Sequence, residues 1–287
     1  MSRTVRTIHD AFRDDIGDLV TRRPVPGPRI AQVDPFLFLN HHGPQTYPPN
    51  NRGLPFGPHP HRGFETVTFI LDGELGHYDS GGHESVIRAG GVQWMTAGSG
   101  LIHAELSPPG FKRDGGPMEI LQLWVNLPSR LKMAAPAYTG LQREDIPALA
   151  LSEGATLNLI AGGLGDQRGP VETLSGHFMA TLELKAGAAV ELPAPAARTV
   201  FFYVVRGRVH TGGHEIRQWK LAEFNADGDN IAIEALEDAY VLFGHGEPIN
   251  EPVVAHGPFV MNTREEIIAA IQDYQAGKFG PPPRVSA

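Results

Sequence analysis

The 287-residue sequence predicts an all-β protein, a sandwich or barrel, with one short helix near its C-terminal end. Apolar and polar residues alternate over short segments such as residues 121–127, which indicates strands with one buried face. Glycine and proline, 34 and 25 residues respectively, separate these segments and supply the turns between them. Helical periodicity is confined to residues 263–277, where Thr263 and Glu266 fit a capping box.

Two stretches with the same strand–turn–strand pattern indicate that one barrel has been duplicated. They are residues 65–75 and 198–209, and each contains a glycine at its tight turn. The tetrapeptide Gly-Gly-His-Glu follows each stretch, at residues 81–84 and again at residues 212–215. A repeat at this spacing predicts two barrels that follow one another in the chain.

Proline, alanine and glycine interrupt the strand pattern over residues 128–140, which predicts a domain boundary there. We therefore expect an N-terminal domain of residues 1–135 and a C-terminal domain of residues 136–287 that includes the helix. The length of the chain suits two domains, each large enough to bury a core without disulfides.

Composition and charge exclude several classes of protein and site. The absence of Cys excludes disulfides, thiolate zinc sites and Cys-ligated iron–sulfur clusters, so any transition metal must bind His, Asp or Glu. The net charge of −8 and the lack of a Lys/Arg block argue against direct nucleic-acid binding. No apolar run approaches the ~20 residues of a membrane helix. Because residues 1–4 lack an apolar leader, we expect a soluble cytoplasmic protein.

The histidines are concentrated in one part of the chain, with seven of the 13 between residues 41 and 103. His59 and His61 lie two residues apart before a strand, and His103 and Glu105 repeat this spacing. Side chains at i and i+2 of an extended segment point the same way, ~6–7 Å apart. Three imidazoles and one carboxylate would leave positions open on iron, copper or manganese. Spacing alone equally allows four surface or hydrogen-bonded polar residues.

Two motifs resemble those of the cupins. The first is Gly53-x5-His59-x-His61-x3-Glu65, and the second runs from Gly98 to His103. The sequence departs from the cupin pattern in three places, which are the late Gly73, Gly98 in place of proline and Ser107 in place of asparagine.

Longer strings between about residues 30 and 280 are similar to those of the pirin family. They are DPFL at residues 34–37, HPHRGFETV at 59–67, QWMTAG at 93–98, LQLWVNL at 121–127 and HGPFVMNT at 256–263. The resemblance implies two cupin barrels of the double-stranded β-helix (jelly-roll) type, packed face to face. It also implies one divalent transition metal per chain in the N-terminal barrel, Fe(II) first, with Mn, Co, Ni, Cu or Zn as alternatives.

The resemblance further implies which residues bind the metal, namely His59, His61, His103 and Glu105. Glu65 is a ligand in many other cupins but not in pirins, so we expect it to brace Arg62 or a ligand from outside the coordination sphere. In the second barrel Pro193 and Pro195 fall near the positions of His59 and His61 in the first. The C-terminal barrel is therefore expected to hold no metal.

The remaining histidines have ordinary interpretations. His210 and His214 lie four residues apart, so we expect two surface residues rather than a ligand pair. His77 and His83 flank a turn and are expected to be solvated.

The resemblance implies a flavonol dioxygenase that opens quercetin at its 2,3 position with O2 and releases CO. Glu105 is then the catalytic carboxylate that takes the proton of the flavonol 3-hydroxyl. Four apolar residues near the motifs either line a flat aromatic pocket or belong to the barrel core, namely Phe56, Trp94, Met95 and Leu123. An alternative is an iron-dependent, redox-sensitive regulator that binds a transcriptional or metabolic protein partner. A third is a different small-molecule cupin reaction.

Overall fold

The structure is a computed structural model that describes residues 1–285. Strands account for 54% of the residues and helices for 8%, which confirms the all-β prediction. No helix among the described residues is long and apolar enough to cross a membrane.

The chain divides into two compact units that are not contiguous in sequence. Unit 1 consists of Met1–Phe12, Arg23–Leu37 and Asp145–Pro248. Unit 2 consists of Arg13–Arg22, Phe38–Glu144 and the chain from Ile249 onward. A single boundary at residue 135 would give two contiguous domains. Here each unit also includes segments from a distant part of the chain.

The first half of the chain holds twelve strands and a short helix, and we number all elements in chain order. The strands are β1 (Val5–Asp10), β2 (Phe12–Arg13), β3 (Thr21–Val25), β4 (Phe36–Tyr47), β5 (Phe56–His61), β6 (Phe64–Asp72), β7 (Glu74–Asp79), β8 (Glu84–Arg88), β9 (Val92–Thr96), β10 (Leu101–Leu106), β11 (Gly116–Asn126) and β12 (Ala137–Leu141). Helix α1 (Pro109–Asp114) lies between β10 and β11. Short 3-10 turns span Ser129–Leu131 and Arg143–Asp145.

The second half holds fourteen strands and the longer helix. The strands are β13 (Ala148–Ser152), β14 (Ala155–Ala161), β15 (Gly163–Leu164), β16 (Gln167–Arg168), β17 (Phe178–Leu184), β18 (Ala189–Pro193), β19 (Thr199–Arg206), β20 (Arg208–Thr211), β21 (His214–Arg217), β22 (Lys220–Phe224), β23 (Asn230–Ala235), β24 (Ala239–Gly246), β25 (Val254–His256) and β26 (Phe259–Met261). Helix α2 (Arg264–Gln275) follows.

Strand order supports the predicted duplication. One seven-stranded sheet runs β12-β9-β6-β11-β4-β3-β2, and the other runs β1-β22-β19-β24-β17-β14-β13. Two four-stranded sheets, β5-β10-β7-β8 and β18-β23-β20-β21, correspond in the same way. The repeated tetrapeptides lead into the equivalent strands β8 and β21. The two barrels thus share one topology. Their edge strands differ in origin, because β12 follows the other strands of its sheet in the chain, whereas β1 precedes those of its own sheet.

The cores follow the predicted period-2 patterns. On β11 the alternate side chains of Leu121, Leu123 and Val125 are fully buried, as is Leu127 just beyond the strand. On β19 the side chains of Val200, Phe202 and Val204 belong to the apolar core of unit 1. Burial of each such side chain contributes roughly 1.5–3 kcal/mol, so these faces fix the register of the sheets.

Helix α2 begins as the sequence predicts. The Thr263 hydroxyl accepts a hydrogen bond from the Glu266 N–H, and the Glu266 carboxylate accepts one from the Thr263 N–H. The buried residues of the helix, Ile267 and Ala270, pack with Phe259 and Met261 in one apolar cluster of unit 2. Residues 258–279 therefore form a folded segment of unit 2.

Candidate metal centre

Two antiparallel strands of unit 2 bring three histidines together. Strand β5 pairs with β10, so that His103 lies opposite His59 and Leu101 lies opposite His61. The side chains of His59 and His61 are on one face of β5 because they are two residues apart. One nitrogen of each of the three imidazoles lies within 4.8 Å of the other two. Within residues 1–285 this is the one such group of three or more His or acidic side chains.

Hydrogen bonds to backbone carbonyls fix the tautomers of two of these imidazoles. His59 Nδ1 lies 2.8 Å from the Gly57 carbonyl oxygen, and His61 Nδ1 lies 3.3 Å from that of Pro258. A carbonyl can only accept, so both Nδ1 atoms carry the proton and both Nε2 atoms present a lone pair. A histidine whose Nδ1 is held by the protein while its Nε2 presents a lone pair is typical of metal ligands.

The third imidazole completes a donor set that fits a cation. His103 Nε2 lies 3.0 Å from His59 Nε2, and His103 Nδ1 is buried without a hydrogen-bond partner in the described structure. The nitrogen of His103 that faces the other imidazoles is therefore Nε2, because it is the one that lies next to His59. Three imidazole nitrogens within 4.8 Å of one another suit a divalent transition metal.

Electrostatics keep the buried imidazoles neutral. Burial, together with the neighbouring His59, lowers the pKa of His61 to about 3. Burial, with His61 and His59 nearby, also lowers the pKa of His103 well below its ordinary value. Neutral imidazole is the form that binds metal, so both side chains are ready to do so at neutral pH.

Glu105 is buried close by but lies outside the group of three. One carboxylate oxygen accepts a hydrogen bond from the Thr68 hydroxyl at 2.8 Å, and the other accepts one from the Gln122 amide. On β10 the pairing with β5 shifts between His103 and Glu105, so the two side chains do not continue one regular ladder. Its role as the fourth ligand stays a prediction.

Glu65 does not hold Arg62, so that part of our expectation is wrong. The Glu65 carboxylate accepts a hydrogen bond from the Thr96 hydroxyl at 2.7 Å on the neighbouring strand β9. Burial raises the pKa of Glu65. Arg62 instead pairs with Asp273 at 2.9 Å, a residue more than 200 positions away that no local motif connects to it.

Aromatic rings lie beside His61, one of the three histidines. The His61 ring contacts Phe64 and Trp124, with centroid distances of 5.1 and 5.4 Å. Trp124 stacks on Phe38 at 4.7 Å, and we call these three rings the aromatic wall. Of the four apolar residues predicted from sequence, Trp94, Met95 and Leu123 are buried core residues, and Phe56 packs partly buried against another apolar cluster.

His77 also differs from expectation, because it is buried rather than solvated. Its ring stacks on Tyr138 at 3.9 Å, and its Nε2 lies 3.0 Å from the Asp79 carboxylate. Asp79 also contacts His83, whose side chain is half exposed. His210 and His214 are exposed, as predicted.

Comparison with known proteins places the chain in a family. The pirin family model matches residues 18–125, and the model of the pirin C-terminal cupin domain matches residues 179–280. Human pirin is 37% identical over 266 residues, which cover 90% of this chain and 87% of that protein. The chain therefore belongs to the pirin family of two-domain cupins.

Two relatives carry the name of an enzyme. A Pseudomonas aeruginosa protein provisionally named quercetin 2,3-dioxygenase is 42% identical over 248 residues, covering 86% of this chain and 87% of that protein. The crystal structure of a quercetin 2,3-dioxygenase from Acinetobacter baumannii superimposes with a TM-score of 0.91 at 37% identity. That alignment covers 98% of this chain and 99% of the other.

Proposed function

We propose that this protein is a metal-dependent dioxygenase of pirin type. It would break the C2–C3 and C3–C4 bonds of a flavonol such as quercetin, release carbon 3 as CO and retain both oxygen atoms of O2 in the organic product. The observation that supports this most is the convergence of three imidazoles, two of them buried, with one nitrogen of each within 4.8 Å of the other two. The names of two relatives supply the substrate class.

His59, His61 and His103 would hold one divalent metal, with Glu105 as the fourth ligand. Fe(II) is the first choice, and Mn, Co, Ni, Cu and Zn suit the same nitrogen and oxygen donors. When bound, such an ion lowers the pKa of a coordinated hydroxyl and supplies Lewis-acid and redox chemistry.

The chain's own residues would perform the remaining tasks. Phe38 and Trp124 of the aromatic wall are partly exposed, so their rings offer faces against which a flat flavonol can stack, and the buried Phe64 ring supports Trp124 from within. Glu105 is the proposed acceptor of the 3-hydroxyl proton, because a buried carboxylate within such a site can act as a general base. Thr68 and Gln122 hold that carboxylate through one hydrogen bond to each oxygen.

The test is aerobic turnover of quercetin by protein loaded with one equivalent of metal. We expect loss of the flavonol absorbance together with O2 consumption and CO release. His61→Ala should abolish all three signals while the circular dichroism spectrum stays that of the folded protein. Turnover that survives complete chelation of the metal would refute the proposal.

The same preparation distinguishes the regulatory alternative. If flavonol turnover is negligible, and the reduced and oxidised metal-loaded forms differ in their affinity for a protein partner, the redox-sensitive regulator is favoured.

A further inference from the structure

Residues Pro258–Phe279 of unit 2, which we call the clasp, contact the chain next to both histidine-bearing strands. They include strand β26 and helix α2. We propose that the clasp positions the imidazoles of His61 and His103 for metal binding, with Asp273 and Phe279 as its positioning residues. The inference rests on the metal centre proposed above and adds residues that no ligand motif contains.

The first contact fixes His61 directly. The Pro258 carbonyl accepts from His61 Nδ1 at 3.3 Å and from the Arg62 N–H at 3.4 Å. The Val260 N–H donates in turn to the Arg62 carbonyl at 3.1 Å, which forms a parallel bridge between the two segments. The clasp backbone therefore determines which nitrogen of His61 carries the proton and how the ring is oriented.

Contacts of the Arg62 side chain stabilise this bridge. Its guanidinium pairs with Asp273 at 2.9 Å and lies 4.7 Å from the centroid of the Phe279 ring. Its Nε donates to the Ser99 carbonyl at 2.7 Å. The Arg62 side chain is 6% exposed and that of Asp273 is 25% exposed, so solvent screens this pair less than a surface ion pair.

A second set of contacts reaches the strand of His103. The Ser80 hydroxyl donates to the Phe279 carbonyl at 2.6 Å and accepts from the Ile102 N–H at 3.1 Å. The side chains of Ile102 and Phe279 belong to the same buried cluster. One face of Gly100 also lies against the clasp, because a Cβ at that position would stand 2.5 Å from the Phe279 ring. Phe279 is thus connected to the residue immediately before His103.

Because the clasp contacts His61 at the end of β5 and Ile102 in β10, it restricts how far the two strands can separate. A metal site with ligands on both strands needs that separation to be fixed. If the clasp only stabilised the fold, removing its contacts would lower the melting temperature without altering the coordination of the metal. The two roles can therefore be told apart by measurements on the metal itself.

The experiment uses the full-length chain loaded with cobalt(II), whose visible absorption reports ligand geometry. Asp273→Ala and Phe279→Ala remove the two positioning side chains. Glu265→Gln and Ile268→Ala are matched controls, because both residues are exposed on α2. Cobalt affinity is measured by competition with a chelator, and the melting temperature is measured on the metal-free proteins.

We expect each clasp variant to bind cobalt about tenfold more weakly with a shifted visible spectrum, since loss of outer contacts to a ligand typically costs 10–100-fold in affinity. The control variants should match the wild type in both measurements. The conservative variants Asp273→Glu and Phe279→Tyr should recover the wild-type spectrum. If either truncated variant fails to fold, the conservative variant at the same position still allows the cobalt affinity and the visible spectrum to be compared with those of the wild type.

Two other results would overturn the inference, and they separate failure of the clasp role from failure of the metal centre. If the clasp variants bind cobalt like the controls with an unchanged spectrum while His61→Ala loses the metal, the clasp has no positioning role and the metal centre stands. If His61→Ala also retains wild-type affinity, the proposed metal centre fails and the inference fails with it.

Discussion

At the scale of single residues, Glu65 and Glu105 are both buried in the first barrel but have different surroundings. Glu105 lies between the Thr68 hydroxyl and the Gln122 amide, whereas Glu65 accepts a hydrogen bond from Thr96. Burial raises the pKa of Glu65, which favours its neutral form. Replacing Glu65 by Gln therefore keeps a neutral side chain of similar shape. Replacing Glu105 by Gln removes the group that is proposed to accept the proton.

We therefore expect Glu105→Gln to lower flavonol turnover by at least about 100-fold, the lower end of what a general base contributes. Glu65→Gln is the matched control and should keep turnover near the wild-type level. Both rates are measured at saturating metal, so that a weaker metal affinity does not mask the chemical step. Equal rates for Glu105→Gln and the wild type would exclude Glu105 as the proton acceptor.

Single residues also show how much of the candidate site can be predicted from the sequence. His59, His61 and His103 were identified because their spacing and flanking motifs are local, and the strand pairing then brings them together. The Arg62–Asp273 pair could not be predicted in this way, because its residues are far apart in the chain and belong to no common motif. Burial of His77 was missed for a similar reason, since its stacking partner Tyr138 lies on a strand about sixty residues later.

At the scale of elements, the approach of β26 to the end of β5 explains a glycine in the first motif. Gly63 has φ +90°, and a Cβ there would stand 2.0 Å from the Val260 carbonyl oxygen. Gly82 has the nearly identical φ of +91°, but no atom lies within 4 Å of an added Cβ. The two glycines therefore share one backbone conformation and differ in the space around them.

This pair gives a controlled test of the close approach. Gly82→Ala carries only the cost of the left-handed backbone, about 1–2 kcal/mol. Gly63→Ala carries the same cost plus that of overpacking, typically 1–3 kcal/mol more. Urea unfolding of both metal-free variants measures the difference. If the two variants lost equal stability, β26 would not approach Gly63 as closely as described.

The elements themselves were largely predictable, because each depends on a local pattern. The capping box of α2 and the alternation on β11 were both confirmed. The assignment of β1 to the sheet of the second barrel was not predicted, because strand pairing across more than 200 residues leaves no periodic signal in the sequence. The same holds for the return of residues after Ile249 to unit 2.

At the scale of the whole molecule, buried neutral histidines couple stability to pH. Burial, with Arg198 nearby, lowers the pKa of His177 to about 4 and that of His245 to about 3. Both belong to unit 1, whereas the proposed metal ligands belong to unit 2. In the unfolded chain these groups titrate near the ordinary value of about 6.5. Between about pH 6.5 and 4.5 the unfolded chain therefore binds protons that the folded chain does not.

The free energy of unfolding should consequently fall as the pH is lowered through that window. We expect the melting temperature of the metal-free protein to decrease steadily from pH 7.5 to pH 5. His177→Gln should make this dependence shallower, whereas His210→Gln, a change at an exposed histidine of the same unit, should leave it unchanged. A melting temperature that is constant or rises towards pH 5 would contradict the prediction.

The non-contiguous composition of the two units has a consequence for biosynthesis. Every residue of unit 1 has been translated once the ribosome passes Pro248, whereas unit 2 still lacks the chain from Ile249 onward. The nascent polypeptide thus carries His59, His61 and His103 long before Pro258 and Phe279 exist to hold their strands. Because domains fold as units when their residues have emerged, maturation of the proposed metal centre has to wait until the clasp has also been translated.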